Sequence, residues 1–193
     1  MERQTMFIRT ERLFLRPGWP EDFEEIFEAL NGDAVPRTLT VPGLPRSLGD
    51  VRRLLEETRN PRLPQFMIYL RAPGGAQLVG HIGLVEGEHE IELVYWIKAR
   101  FCGRGFAGEA VRAMLEQARS LGHARIAAYE PIESDGDARV LLAAGFEDGY
   151  RVEERFSAQN ACVIPVRRFE ATLARGRASF VAHEQPHAHS LSA

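Results

Sequence analysis

Lysine is almost absent. Lys98 is the only one in a chain of 193 residues, and every other basic side chain apart from histidine is arginine. This imbalance reads as a codon or lineage bias, with avoidance of surface lysine as the alternative. Cysteine is scarce too: Cys102 and Cys162 are too few for a disulfide framework. There is no excess of positive charge. With a formal net charge of -3, no bulk field draws the chain to nucleic acid. No apolar run is long enough to span a bilayer, and the opening "MERQTMFIRTER" is too charged for a secretory signal. No nucleic-acid partner and no membrane are therefore expected, and a bacterial-type cytoplasm is the expected location. Internal repeats and interdomain linkers are also missing. What remains, 45% apolar and 26% charged, is the composition of one globular domain with one core.

Local patterns predict an alternation of elements. "RLFLRP" sets Leu13 and Leu15 in strand alternation. Pro20 opens a helix whose Phe23, Ile26, Phe27 and Leu30 share one face, and Asn31-Gly32 ends it. Residues 33 to 46, rich in proline and glycine, read as an irregular loop. A second helix starts at Ser47, with Asp50 as capping partner and Val51, Leu54, Leu55 and Thr58 as its inner stripe. "QFMIYLRA", "QLVGHIGLVE" and "IELVYWI" follow, joined by short turns, and read as antiparallel hairpin strands. After a glycine-rich loop, Phe106, Ala110, Val111, Met114, Leu115, Ala118 and Leu121 line a long helix closed by Gly122. "RIAAYE" is a strand, "DARVLLAAGF" a short helix closed by Gly145, and two more strands fall near 150 to 156 and 162 to 173. One domain is expected over residues 1 to 177, with 178 to 193 as a disordered tail. His183, His187 and His189 in that tail lack a scaffold, so no metal site is expected.

The loop "FCGRGFAGEA" carries the chemistry. Gly103, Gly105 and Gly108 satisfy the G-x-G-x-x-G spacing of dinucleotide-binding loops, and Glu130 lies where such a fold places a ribose ligand. Three features oppose that reading. "KARFC" intervenes between the strand ending at Ile97 and Gly103, about a hundred residues precede the crossover, and too few follow to complete a doubly wound sheet. Glu130 then reads as a strand-end carboxylate. The N–H groups of Gly103 to Gly108, at the positive end of a helix, suit the pyrophosphate of coenzyme A equally well.

Over roughly residues 8 to 173 the chain resembles the GNAT superfamily of N-acetyltransferases, in the branch of the ribosomal-protein N-terminal acetyltransferases. "ELVYWIKARFCGRGFAGEA" is similar to that branch's most specific signature; "ERLFLRPGWPEDFEEIFEAL", "QLVGHIGL" and "LLAAGF" are similar to weaker ones. The chain departs from the pattern at Val94, Cys102 and Gly108, and it has Leu141 where many members carry a tyrosine acid. The resemblance implies an α+β fold, a mixed and mostly antiparallel sheet flanked by helices. It implies acetyl-CoA as co-substrate, with the pyrophosphate at Gly103, Arg104, Gly105, Phe106, Ala107 and Gly108. It places the pantetheine arm along Tyr95, Trp96 and Ile97, with Ser134 where an asparagine usually helps hold the cofactor.

The implied reaction is direct attack of a primary amine on the thioester. An amine arrives protonated near neutral pH, so a base is required. Glu92 is the choice. It shares a strand face with Val94 and Trp96, where semi-apolar surroundings are expected to raise its pKa; Glu90 is the reserve. Tyr129 and Ser134 are candidate donors to the leaving thiolate, besides solvent. No motif sets a histidine beside Cys102, so a covalent route is not expected. An N-terminal peptide amine, an aminoglycoside and a small polyamine stay open as acceptors. A homodimer, and a non-catalytic acyl-CoA sensing module as the alternative function, stay open too.

Overall fold

In a computed structural model the described residues are 7–31, 47–56, 60–133, 135–157 and 162–173. Residues 33 to 46, Thr58, Ser134 and the tail from 178 to 193 lie outside them. The alternation of "LFLR" makes strand β2 (Leu13–Arg16), with Leu13 and Leu15 fully buried. It lies between the two-residue β1 (Ile8–Arg9) and β3 (Gln65–Leu70), antiparallel to both. The hairpins predicted from the short turns are present: β3, β4 (Gln77–Glu86) and β5 (Ile91–Ile97) form antiparallel ladders. With β6 (Arg125–Pro131), β7 (Glu147–Ser157) and β8 (Cys162–Thr172) they make an eight-stranded sheet, ordered β1-β2-β3-β4-β5-β6-β8-β7. Among the described strands only β5 and β6 run parallel, because the chain returns between them through the long helix α3 (Phe106–Ser120).

Helices cover both faces. Alpha-helix α1 (Phe23–Asn31) and α2 (Leu48–Glu56) bury Ile26, Ala29 and Val51 against Met67, Tyr69, Leu78 and Trp96. On the other face α3 and α4 (Asp135–Ala144) pack on Leu93, Tyr95, Ile97, Ile126, Ala128 and Phe169. The period of two along β5 thus sends Tyr95 and Trp96 to opposite cores. Both are buried. The Ser47–Asp50 capping box forms, with each side chain accepting the other residue's backbone N–H at 3.1 and 3.0 Å. Pro20 opens only a 3-10 turn, Pro20–Asp22; the α-helix begins at Phe23. Asp22 anchors that turn by accepting the Trp19 N–H at 2.7 Å and both Arg16 Nη donors at 2.6 and 2.7 Å.

One feature of the sheet positions the site. Among the described residues β5 and β6 share a single register pair, Glu92 with Ala127. Beyond it β5 stays on β4 as far as Ile97, and β6 stays on β8 as far as Pro131. Their facing edges part, and the sheet opens in a wedge with Glu92 at its crotch.

Candidate active site

The glycine loop stands at the open end of that wedge. Gly103 and Gly105 have φ of +72° and +78°, left-handed backbone that side chains resist. Gly105 is the N-cap of α3 and offers no capping side chain. The first hydrogen bond of α3 is Glu109 N–H to the Gly105 carbonyl, 3.1 Å. The N–H groups of Phe106, Ala107 and Gly108 therefore have no helical acceptor and point outward with the positive end of the helix dipole. Gly108 is half-buried. The Phe106 ring is buried edge-on against Phe101, so only its backbone faces the loop. Arg104 is exposed.

The first turn of α3 is fixed from the N-terminal strands. Glu109 accepts from Thr10 Oγ1 at 2.5 Å, from the Arg12 backbone N–H at 2.8 Å and from Arg12 Nε at 2.7 Å. Arg12 Nη1 also donates to the Arg104 carbonyl at 2.9 Å. Burial pushes the Glu109 carboxyl up, but the bonds from Thr10 and Arg12 outweigh it and hold the group below its ordinary range. None of this was legible in the sequence, because the partners lie 92 to 99 residues away.

Inside the wedge, the β5 edge past Glu92 has no strand partner on the β6 side. Tyr95 and Ile97 project toward α3 and α4, and Trp96 toward α1 and α2, where it stacks on His81 at 6.4 Å. The Tyr95 hydroxyl is buried and closes no hydrogen bond. Ser134 lies outside the described residues.

At the crotch the expected carboxylates are present, with partners the sequence did not announce. Glu92 is buried, and Arg155 of β7 donates to both its oxygens at 2.8 Å. The expected surroundings of Glu92 were semi-apolar; a guanidinium fills them instead. Gly87 makes room for this pair, since a Cβ there would fall 2.1 Å from Glu92 Oε1. The Arg155 guanidinium also lies over the Tyr129 ring, 3.4 Å from its centroid. Glu90 accepts from Arg168 Nε and Nη2 at 2.9 and 2.6 Å and from the Tyr129 hydroxyl at 2.6 Å. Arg168, with a lesser contribution from Tyr129, holds the Glu90 carboxyl below the usual range, which disfavours it as the reserve base. Burial, and then Glu90, push the Tyr129 phenol up to about 12, and its proton is already engaged. That removes Tyr129 from the candidate thiolate donors in this arrangement.

Glu130, taken from the sequence as a strand-end carboxylate, has a different environment. It follows Ile126 and Ala128 on the α3/α4 face of β6 and is buried. Burial first, and then Asp137 of α4, push its carboxyl up to about 8. The signal was in the sequence: a glutamate in phase with apolar residues at the end of "RIAAYE". Cys102 is exposed, and burial of its thiol with Asp137 nearby pushes it up, the wrong direction for a nucleophile. Among the described residues no three metal-ligating side chains come together, and no helix is long and apolar enough to cross a membrane.

The family described as "Acetyltransferase (GNAT) domain" matches residues 12–147. A search of curated protein sequences gives no match. Among solved structures, a GNAT-family acetyltransferase from Bacillus anthracis superposes with a TM-score of 0.68 at 22% identity, covering 86% of this chain and 98% of that one. Spermidine N-acetyltransferase from Vibrio cholerae, solved with CoA and spermine, gives 0.68 at 19% identity over 86% and 98%. The microcin C7 self-immunity acetyltransferase MccE, solved with acetyl-CoA and AMP, gives 0.67 at 13% identity over 84% and 93%.

Proposed function

The chain belongs to the GNAT acetyltransferase family and is an acetyl-CoA-dependent acetyltransferase; from that premise we propose that it acetylates a primary amine by direct transfer. The observation that carries the proposal is the meeting, at one point of the fold, of an opened β5 edge and the uncapped N-terminus of α3. The residues fit acetyl-CoA. Left-handed Gly103 and Gly105 turn the backbone N–H groups of the loop toward one point, a nest for a pyrophosphate. The free β5 edge around Tyr95 to Ile97 offers N–H and carbonyl groups to an amide-bearing arm, and an N–H there is placed to polarise the thioester carbonyl. Acetyl-CoA itself supplies the activated acyl group. Glu92 at the crotch is the residue from which a base would act on the incoming ammonium; its bidentate pair with Arg155 counts against it.

The test is a panel of an N-terminal peptide, an aminoglycoside and a polyamine with acetyl-CoA, followed by thiol release. The spermine held by the Vibrio cholerae neighbour makes the polyamine the first member to try. Tight acetyl-CoA binding without turnover on any amine would leave a coenzyme A-binding module instead. Gly105→Val forces a branched side chain into left-handed backbone beside the nest. Calorimetry should show acetyl-CoA binding weakened by about tenfold or more; unchanged affinity would move the pyrophosphate elsewhere. Glu92→Gln decides the base. A fall in kcat of about 10²-fold assigns it the proton, and a wild-type kcat leaves it as the ion-pair anchor of the strand.

A further inference from the structure

We infer that Glu130 is the acid that gives a proton to the sulfur leaving from acetyl-CoA. The inference rests on the acetyl-transfer reading above and adds a residue which that reading does not use. Glu130 lies on β6 past the last β5–β6 pair, so its strand forms one wall of the wedge. Continuing the Glu92–Ala127 register up the wedge sets it across from Tyr95 on the other wall. The two side chains are 8% and 7% exposed. Tyr95 comes close enough to influence the carboxyl but closes no hydrogen bond with it. Two buried polar groups facing one another across an opened strand edge, one without a partner, are what a site for a polar ligand atom leaves behind.

On β8 the register partner of Glu130 is Arg167, whose guanidinium donates to Asp148 of β7 at 3.3 Å. Among the described residues the groups that act on its carboxyl are Asp137 from α4 and Tyr95 from β5. Burial, and then Asp137, favour the protonated form and outweigh the Tyr95 hydroxyl, which favours the ionised one; the carboxyl is pushed up to about 8 and holds its proton at neutral pH. Besides Glu130, the Tyr95 hydroxyl is the competing donor on this face. Alpha-helix α4 carries no hydroxyl, and the Tyr129 hydroxyl is committed to Glu90 on the opposite face. In the step itself the amine nitrogen forms the C–N bond and the C–S bond breaks, its electron pair passing to sulfur. The Glu130 proton goes to that sulfur. The proton lost by nitrogen goes to solvent or to the base, and the Glu130 carboxylate regains one from solvent.

The experiment uses the whole chain and two readouts. Infrared difference spectra of the free protein between pH 6 and about 9 should show a carboxylic-acid band that titrates near the upper end and is missing from Glu130→Gln. In thiol-release assays, wild-type kcat should fall on the alkaline side through that same ionisation. Glu130→Gln should lose this limb and lower kcat by about 10²-fold with acetyl-CoA, with acetyl-CoA affinity unchanged. An acetyl thioester of an acidic thiol needs no proton on leaving, so the variant should handle it at close to the wild-type rate. A wild-type kcat in Glu130→Gln, or a band that survives in it, overturns the inference and leaves the transfer reading standing. Absence of any wild-type turnover overturns both. Tyr95→Phe is the control for the neighbouring hydroxyl: if it abolishes the alkaline limb while Glu130→Gln keeps it, the tyrosine is the donor and the inference is wrong.

Discussion

Glu92 and Glu130 stand on adjacent strands on either side of one wedge, both buried, and they differ in what faces them. Glu92 lies on the α1/α2 face against Arg155, which donates to both its oxygens. Glu130 lies on the α3/α4 face against a tyrosine and an aspartate. Burial alone opposes ionisation of either group. A bidentate guanidinium makes a buried carboxylate a structural tie, whereas a second carboxylate keeps its neighbour protonated. The tie is also mechanical. Arg155, Arg168, Tyr129, Glu90 and Glu92 join β7, β8, β6 and the start of β5 on the α1/α2 face of the sheet.

The largest effect should come from breaking the tie. Arg155→Met keeps the stem over Tyr129 but strands Glu92 with an uncompensated buried charge. A loss of about 3 kcal/mol in urea unfolding is expected. The double variant Arg155→Met with Glu92→Gln should regain most of it, because both charges are then gone. If the single variant unfolds like wild type, Glu92 is already neutral or hydrated and the contrast with Glu130 collapses.

The second effect has the opposite sign and depends on pH. The Glu130 pKa is raised in the fold, from 4.5 to about 8. Below pH 4.5 the group is protonated in both folded and unfolded chains and costs nothing. Between 4.5 and 8 the unfolded chain ionises first, so stability falls as pH rises, and the loss levels off above 8. Glutamine does not titrate. Glu130→Gln should therefore match wild type near pH 5 and exceed it near pH 9 by up to a few kcal/mol. A constant difference across that range would mean that the fold does not hold Glu130 protonated.

The sequence displayed one half of this arrangement far better than the other. The hairpins, the long helix, the capping box at Ser47 and the glycine loop are set by signals within a few residues of one another. The parallel pair β5–β6 followed from the crossover through α3. The partners of the carboxylates were hidden, because Arg155 and Glu92 are 63 residues apart and Arg168 and Glu90 78 apart. Only the return of β7 and β8 beside β6 brings them together. Glu130 was visible as a residue yet not as an acid, since its proton depends on α4 closing over the strand. A carboxylate's identity is local, but its ionisation is a tertiary property.

The smallest expected effect probes the edge of the charge network. Tyr129 contributes a ring under Arg155 and a hydroxyl to Glu90, and Tyr129→Phe removes only the second. The lost bond is short, 2.6 Å, and its acceptor is half-buried, which sets the cost at about 1 kcal/mol near pH 7. Arg168 still holds Glu90, so the strands should stay joined and the fold intact. The pH course identifies the bond. Glu90 is held below its ordinary range in the folded chain, so its contribution is present above the unfolded pKa and is lost as pH falls through the folded one. The difference between wild type and Tyr129→Phe should therefore be largest at neutral pH and shrink as pH falls through the lowered Glu90 ionisation, below which a protonated Glu90 no longer attracts the hydroxyl. A difference that persists unchanged into acid would assign the loss to the ring and Arg155, and would place Tyr129 with the Glu92 tie instead of with Glu90.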